Sequence, residues 1–404
     1  MTIRISRLAQ RVATSGTMAA DDRTQRLRAA GRDIISLGVG QLDFDTPAPI
    51  ARAGVEAITG GRTRYTPVAG TPALRLAVRE KFERENGLRF SDDEVIVGAG
   101  AKSVIFHGLL ALVDPDDAVI VPVPAWPSYA SLVSLAGGRV VEARLSAADG
   151  YRLTPEALRA AISTAGGRAR GLILNSPHNP TGAVMSRATL EAVAAVAREA
   201  DLWVVSDEIY EHLVYDGAFA SIAGCEDMCG RTLTVNGVSK AFAMTGWRIG
   251  YGGGCGELIA SMRALQSHTS GNPSSISQHA AEAALRLTVA GDPAMIAERE
   301  RFRDALRARR DLVCRGLESM PGVTVARPGG AFYVFADVSH HVGRSLGGRV
   351  MRGSNDLADY LLEEAGVALV PGAVFGDDRC LRLSFAASTE ELNDALGRMA
   401  RALA

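Results

Sequence analysis

Val235-Asn-Gly-Val-Ser-Lys-Ala-Phe-Ala-Met-Thr-Gly-Trp-Arg248 joins the end of an apolar run to a glycine-containing turn, with Lys240 between them. Lysine is rare in this chain. Lys81, Lys102 and Lys240 are three of the 44 lysine and arginine residues, and the other 41 are arginines. Arginine therefore serves wherever a plain positive charge suffices. A retained lysine suggests chemistry that a guanidinium cannot perform, namely loss of a proton or formation of an imine with a carbonyl. Lys81 reads differently: it lies on a charged helical face, Arg79-Glu-Lys-Phe-Glu-Arg-Glu85, and is expected to face solvent.

Outward from Lys240, short apolar runs alternate with helical patterns. The runs are residues 94–100, 118–124, 171–175, 202–206 and 232–236, and helical patterns at 101–113 and 187–200 lie among them. Continuous apolar strands alternating with helices predict an α/β fold whose sheet is mostly parallel and covered on both faces. From about residue 290 the pattern changes. A long Arg/Glu-rich helix, 293–320, precedes expected strands at 330–336, 366–371 and 380–385 and a closing helix. This predicts a smaller α+β domain. The expected division is 1–46 for an N-terminal arm and part of the small domain, 47–288 for the large domain and 289–404 for the small C-terminal domain.

In open parallel sheets, ligands bind beyond the carboxyl ends of the strands. Three polar clusters fall there: Asn175-Ser-Pro-His-Asn-Pro-Thr-Gly182, Asp207-Glu-Ile-Tyr210 and Lys240 itself. The common cofactor that pairs a lysine imine with an anionic handle and a basic ring nitrogen is pyridoxal 5′-phosphate. Asp207 is the candidate partner of the ring nitrogen, although an aspartate ending a strand can also cap the next helix. Arg248 is a candidate for the phosphate. Asn179 and Tyr210 are candidates for the ring hydroxyl. Trp126, in Pro124-Ala-Trp-Pro-Ser-Tyr129, can stack on the ring or pack in the core. Gly98-Ala-Gly-Ala-Lys102 opens a helix, so backbone N–H groups of Gly100, Ala101 and Lys102 can hold phosphate at its positive end. It is not a P-loop, because Gly-Lys-Ser/Thr is missing.

These residues resemble the fold-type I pyridoxal-phosphate enzymes, specifically the class I/II aminotransferases. The resemblance runs through Asn175-x-Pro-x-Asn-Pro-Thr-Gly, Ser206-Asp-Glu-x-Tyr, Ser239-Lys-x-Phe-x-Met-x-Gly-Trp-Arg-x-Gly, Pro328-x-Gly-Ala-Phe-Tyr and Leu381-Arg-Leu-Ser-Phe-Ala. It is strongest to the bacterial-type aspartate/prephenate branch, through Ser6-Arg-x-x-x-Arg and Tyr65-x-Pro-x-Ala-Gly-x-Pro-x-Leu-Arg. The resemblance implies an amino-group transfer between an L-amino acid, aspartate or glutamate, and a 2-oxo acid: 2-oxoglutarate, oxaloacetate or prephenate. It implies catalytic roles for Lys240, Asp207 and Tyr210, and a cofactor set that also includes Ser239. Arg382 is implied to clamp the substrate α-carboxylate, with Gly40, Trp126 and Asn179 also against the substrate. Lys102 is implied to read a distal carboxylate; a surface lysine is its alternative. Tyr65 is implied to reach the phosphate of a second subunit, and Ser270, Asn272 and Pro273 to approach that subunit's site, which makes the expected assembly a homodimer with shared sites.

Two departures stand out. Relatives read Gly-Glu-Pro-Asp-Phe where this chain has Gly40-Gln-Leu-Asp-Phe44, and Gly237 stands where some place a phosphate-binding Ser or Thr. The first bears on the substrate assignment. The alternative activity is another reaction on the same fold, a β-elimination lyase or a specialised biosynthetic enzyme.

Composition narrows the remaining classes. The net charge of −1 gives no electrostatic case for nucleic acid or an anionic membrane. No apolar stretch approaches the roughly 18 residues that span a bilayer. The arginine-rich start, residues 1–17, has the look of a transit peptide, but its resemblance to the family's arm favours an ordered segment of the mature protein. Five scattered cysteines read as free thiols in a cytoplasmic protein, and Cys225 with Cys229 lacks a second pair at zinc spacing, so no metal is expected. The first motif begins near residue 38, which leaves no room for the DNA-binding domain of a regulator, and no Gly-x-Gly-x-x-Gly supports a dinucleotide site.

Overall fold

A computed structural model describes residues 3–12 and 16–404, without the side chains of Arg7 and Arg11. Those two arginines of the expected arm motif, like residues 1, 2 and 13–15, lie outside what is described. Seven strands form the large sheet in the order Val95–Gly98, Gly250–Gly253, Thr232–Gly237, Trp203–Asp207, Ala169–Asn175, Ala118–Val123 and Arg139–Arg144. Every neighbouring pair is parallel except those made by Gly250–Gly253, which runs against both its neighbours. This is the fold-type I α/β architecture. The short antiparallel strand is glycine-rich and lacks an apolar run, so its sequence carries no strand signal.

Alternate residues of one strand enter opposite layers. Ile120, Leu172, Leu174 and Val204 pack on one face, with Leu190, Val193 and Ala197 of the helix Arg187–Glu199. Val119, Val121, Ile173, Val205, Leu233 and Val235 pack on the other, with Val104, Ile105 and Leu109 of the helix Ala101–Leu112. Burial on both faces is why the central stretches of these strands read as apolar rather than alternating, most fully in Ala118–Val123. The edge strand Arg139–Arg144 instead buries Val141 and Ala143 and exposes Arg139, Glu142 and Arg144. Its alternation is that of a half-buried strand.

The C-terminal part forms an antiparallel sheet in the order Val370–Pro371, Cys380–Ser384, Tyr333–Asp337 and Thr324–Val325. The expected strand at 366–371 is two short strands. Val367–Ala368 pairs with Ile35–Ser36, and Val370–Pro371 pairs with Cys380–Ser384. The chain changes partner at Leu369, and an apolar run cannot signal such a change. The closing helix Thr389–Leu403 starts with a capping box between Ser388 and Glu391, which satisfies two otherwise unpaired backbone donors.

Lys81 corrects the sequence reading. It is fully buried, with its ammonium against Glu211, 2.7 Å from Asn86 Oδ1 and 3.7 Å from Glu85. The regular helix ends at Lys81 and continues as one wide π turn, Phe82–Asn86, so a face drawn at α-helical spacing misplaces this side chain. Its partner Glu211 is distant in sequence, and nothing local announces it.

Candidate active site

Residues from segments far apart in the chain converge on a cleft of about 370 Å³ at the carboxyl ends of the parallel strands. The strand Thr232–Gly237 feeds a single helical turn, Val238–Ala241, which carries Ser239 and Lys240 into the cleft. Lys240 Nζ donates to the Gly40 carbonyl and lies 5.5 Å from the centre of the Phe332 ring. Burial, reinforced by the positive charges of Arg248 and Arg382, pulls its pKa down to about 8, with Asp207 acting the other way. An ammonium in that position surrenders its proton far more readily than a surface lysine.

Asp207 ends its strand and is nearly inaccessible to solvent. Burial raises its carboxyl to about 6, while hydrogen bonds from Tyr129 and the Ile209 N–H, and the charge of Lys240, oppose the rise. Tyr129 Oη donates at 2.7 Å. Asn175 fastens the same strand end: its Nδ2 donates to the Asp207 carbonyl at 2.8 Å, and its Oδ1 accepts from the Asn179 N–H at 2.8 Å. Tyr210 Oη is 3.0 Å from Tyr333 Oη, and burial drives the Tyr210 hydroxyl well above its ordinary pKa, so it stays protonated.

Arg382 enters from the small sheet. Its Nη1 donates to Asn179 Oδ1 at 3.0 Å and its Nη2 to the Gly38 carbonyl, while the guanidinium lies 4.4 Å from the Tyr333 ring centre. Arg382 Nε is buried without a partner among the described residues. A buried donor with nothing to donate to is costly, and a bound anion would satisfy it. Gly40 must be glycine, because a Cβ there would lie 2.3 Å from Tyr333 Oη.

The other end of the cleft is built for an anion. Gly100 adopts φ of +88° before the helix Ala101–Leu112, and a Cβ on it would fall 2.4 Å from Arg248 Nη2. Arg248, itself at φ of +56°, is steered by an Nη1 bond of 2.9 Å to the Thr245 carbonyl. The guanidinium thus sits beside the first N–H groups of a helix, a combination that holds phosphate. Lys102 Nζ lies 4.8 Å from the Trp126 ring centre, and burial together with Arg248 lowers its pKa.

Lys240, Asp207, Tyr210, Asn179, Ser239, Arg248, Ala101, Lys102, Trp126, Gly40 and Arg382 therefore line one cleft. Gly100 lies beside it through Arg248. Tyr65 does not reach the cleft of its own chain and is 97% exposed. Ser270, Asn272 and Pro273 are also outside its lining. Sequence reasoning missed Tyr129, although it stands three residues after Trp126, and Tyr333, although it ends a quoted motif. It also missed Thr17, Met18, Asp21 and Asp22, which form part of the wall. No motif marks these residues; only chain folding brings them in.

The sequence model of the aminotransferase class I and II family matches residues 32–399. The aspartate/prephenate aminotransferase of Cereibacter sphaeroides is 46% identical over 393 residues, 96% of each chain. The structure of the Thermus thermophilus aspartate aminotransferase with maleate superposes with a TM-score of 0.92 at 43% identity, over the whole of both chains. An aromatic aminotransferase of Pyrococcus horikoshii is 38% identical with a TM-score of 0.85, covering 95% of this chain and 98% of its own.

Proposed function

The chain belongs to the class I and II aminotransferases, pyridoxal-phosphate enzymes, and we propose from this premise that it exchanges amino groups among aspartate, glutamate and their 2-oxo acids, with prephenate as a further acceptor. The observation that carries the reading is that Lys240, Asp207 and Arg382, from three separate parts of the chain, line a single cleft. The acidic substrates named for relatives, and the dicarboxylate maleate in the Thermus thermophilus structure, agree with it.

The cleft fits the cofactor. Arg248 beside Gly100, with the N–H groups of Ala101 and Lys102 and the Ser239 hydroxyl, would hold the phosphate. Asp207, oriented by Tyr129, would pair with the ring nitrogen and keep it protonated. Asn179 and Tyr210 would face the ring hydroxyl, with Trp126 against the ring. When bound, pyridoxal phosphate supplies a carbonyl carbon that accepts nitrogen and a cationic ring that draws electrons from the substrate's Cα.

The remaining chemistry falls to the chain. Lys240, with its pKa near 8, would be the amine that tethers the cofactor and the base that takes the proton from the substrate Cα. Arg382 would take the α-carboxylate through its unpaired Nε face, while Asn179 holds the guanidinium in plane. Lys102 would meet the distal carboxylate. A bound carboxylate at Arg382 fixes the Cα–H bond relative to Lys240, and much of the rate gain would come from that orientation.

Residues 47–288 would form the cofactor domain and 289–404, with the N-terminal segment, the small domain; pairing of Ile35–Ser36 with Val367–Ala368 supports that division. The proposed assembly is a cytoplasmic homodimer in which the exposed Tyr65 reaches the partner's phosphate. Among the described residues no helix is long and apolar enough to cross a membrane.

The test mixes purified holoenzyme with single amino acids and follows the cofactor's visible absorbance, with light scattering for the assembly. A fast response to aspartate and glutamate is expected. Release of ammonia and a 2-oxo acid without any amino acceptor would instead establish a lyase.

A further inference from the structure

Between the strand Ile35–Ser36 and the helix Ala48–Thr59 the chain runs without regular structure, and Gly38, Val39, Gly40 and Gln41 form part of the cleft wall. Two carbonyls of this segment meet the cations of the site. Gly38 accepts from Arg382 Nη2, and Gly40 accepts from Lys240 Nζ. The orientation of Lys240 therefore depends on what holds Gly40.

The two sides of Gly40 are held differently. Before it, backbone bonds pin Leu37: its N–H donates to the Ala368 carbonyl at 2.9 Å, and its carbonyl accepts from the Ser384 N–H at 2.7 Å. After it, one backbone bond, from the Asp43 N–H to the Ala386 carbonyl at 3.1 Å, is supplemented by side chains. Asp43 takes both arms of the Arg309 fork, Nη1 to Oδ1 at 2.7 Å and Nη2 to Oδ2 at 2.8 Å, and the Arg309 side chain is only 11% exposed. Phe44 stacks on Phe302 with ring centres 4.4 Å apart and planes 4° from parallel, and the Arg309 guanidinium lies 5.0 Å from the Phe44 ring centre. Arg309 and Phe302 both belong to the long helix Pro293–Glu318. A bidentate fork fixes orientation as well as distance. This chain has particular need of it, because Leu42 stands where relatives carry a proline, and no ring locks φ at that residue.

We propose that Arg309 is a positioning residue for the reaction: by clamping Asp43 and Phe44 to the long helix, it sets the Gly40 carbonyl that aims the Lys240 amine at the substrate Cα. This role rests on the aminotransferase reading, which gives Lys240 the proton transfer. Arg309 is not part of the cleft lining and acts only through the segment. With the clamp released, Gly40 shifts and Lys240 is free to turn, and a misplaced base slows proton transfer. Gly38, next to the pinned Leu37, still holds Arg382, so the grip on the α-carboxylate persists. The loss falls on kcat and not on KM.

The test follows transamination of aspartate with 2-oxoglutarate by the holoenzyme. Arg309→Met keeps the stem and removes the fork, and Asp43→Asn removes the carboxylate at an exposed residue, where folding is not at stake. Each should lower kcat about tenfold while KM stays within about threefold of the parent. Each should also raise the isotope effect on kcat with α-deuterated aspartate, because removal of the Cα proton becomes slower relative to the other steps. The double variant should lose no more than either single one, since both break the same contact. Arg309→Lys, which keeps the charge without the fork, should fall between Arg309→Met and the parent. Amide hydrogen exchange of residues 38–44, read by mass spectrometry, should quicken in both single variants. A parent-like kcat and isotope effect in both would overturn the proposal, and so would a loss of stability alone, which would make the pair purely structural. A loss confined to KM would place the effect at Arg382 and overturn it as well. If the parent transaminates no amino acid, the aminotransferase reading fails, whereas unchanged exchange at 38–44 in the variants would refute the clamp by itself.

Discussion

Replacing Lys81 with methionine keeps the length and apolar stem of the side chain and deletes its charge. That charge lies in a fully buried position against Glu211, whose side chain is only 3% exposed. Two ions withdrawn from water are tolerated while each compensates the other; removal of one leaves the second stranded. In the Lys81→Met protein, Glu211 would retain Asn86 Nδ2 at 2.7 Å and His212 Nε2 at 3.0 Å, but no permanent cation. Glu85, 3.7 Å from the Lys81 ammonium, would add like charge nearby. The expected cost is about 3–5 kcal/mol, against about 0–1 for a lysine in solvent. Urea unfolding of the cofactor-free protein, followed by tryptophan fluorescence, measures it. Glu211→Gln and the double variant close the cycle. The double variant should recover at least half of the loss, because both charges are then gone. A Lys81→Met protein within about 1 kcal/mol of the parent would refute the buried pair. So would a double variant no more stable than the single one.

The Tyr129→Phe protein should bind pyridoxal phosphate about tenfold more weakly by equilibrium fluorescence, since a hydrogen bond to a charged carboxylate contributes about 1.5–3 kcal/mol; unchanged affinity would mean that Asp207 needs no such support. Burial raises the Glu208 carboxyl from 4.5 to about 8, although Ser206 at 2.8 Å and Ser221 at 2.6 Å donate to its Oε1. The native state thus holds a proton that the unfolded chain has lost, and the contribution of this group to stability falls as pH rises across that window. Glu208→Gln removes the titration, so its stability relative to the parent should increase from pH 5 to pH 8; a constant difference would show Glu208 to be ionised throughout. Capture of pyridoxal phosphate by the cofactor-free protein should quicken as pH rises toward about 8, where Lys240 loses its proton, and level off above it. Lys240→Ala should fold normally and abolish transamination; turnover at the parent rate would remove Lys240 from the mechanism.

Much of this protein is written in local sequence. Apolar runs at 118–123 and 171–174 reveal strands buried on both faces, because a side chain's layer depends only on its place in the pleat. Asp207, at the end of the strand Trp203–Asp207, and Lys240, just beyond the strand Thr232–Gly237, stand at a sheet's ligand-binding edge for the same reason, and the scarcity of lysine among arginines draws attention to Lys240. Tertiary structure decided what depends on approach between distant segments. Lys81 is on a charged segment, yet Glu211, 130 positions later, draws it into the core. Tyr129 becomes a partner of Asp207 only because the strands Ala118–Val123 and Trp203–Asp207, one strand apart in the sheet, end on the same edge. Thr17, Met18, Asp21 and Asp22 join the cleft wall only because their helix packs beside it. Periodicity and turn chemistry are short-range constraints; the pairing of charges in a low-dielectric interior is settled only when the whole chain has packed.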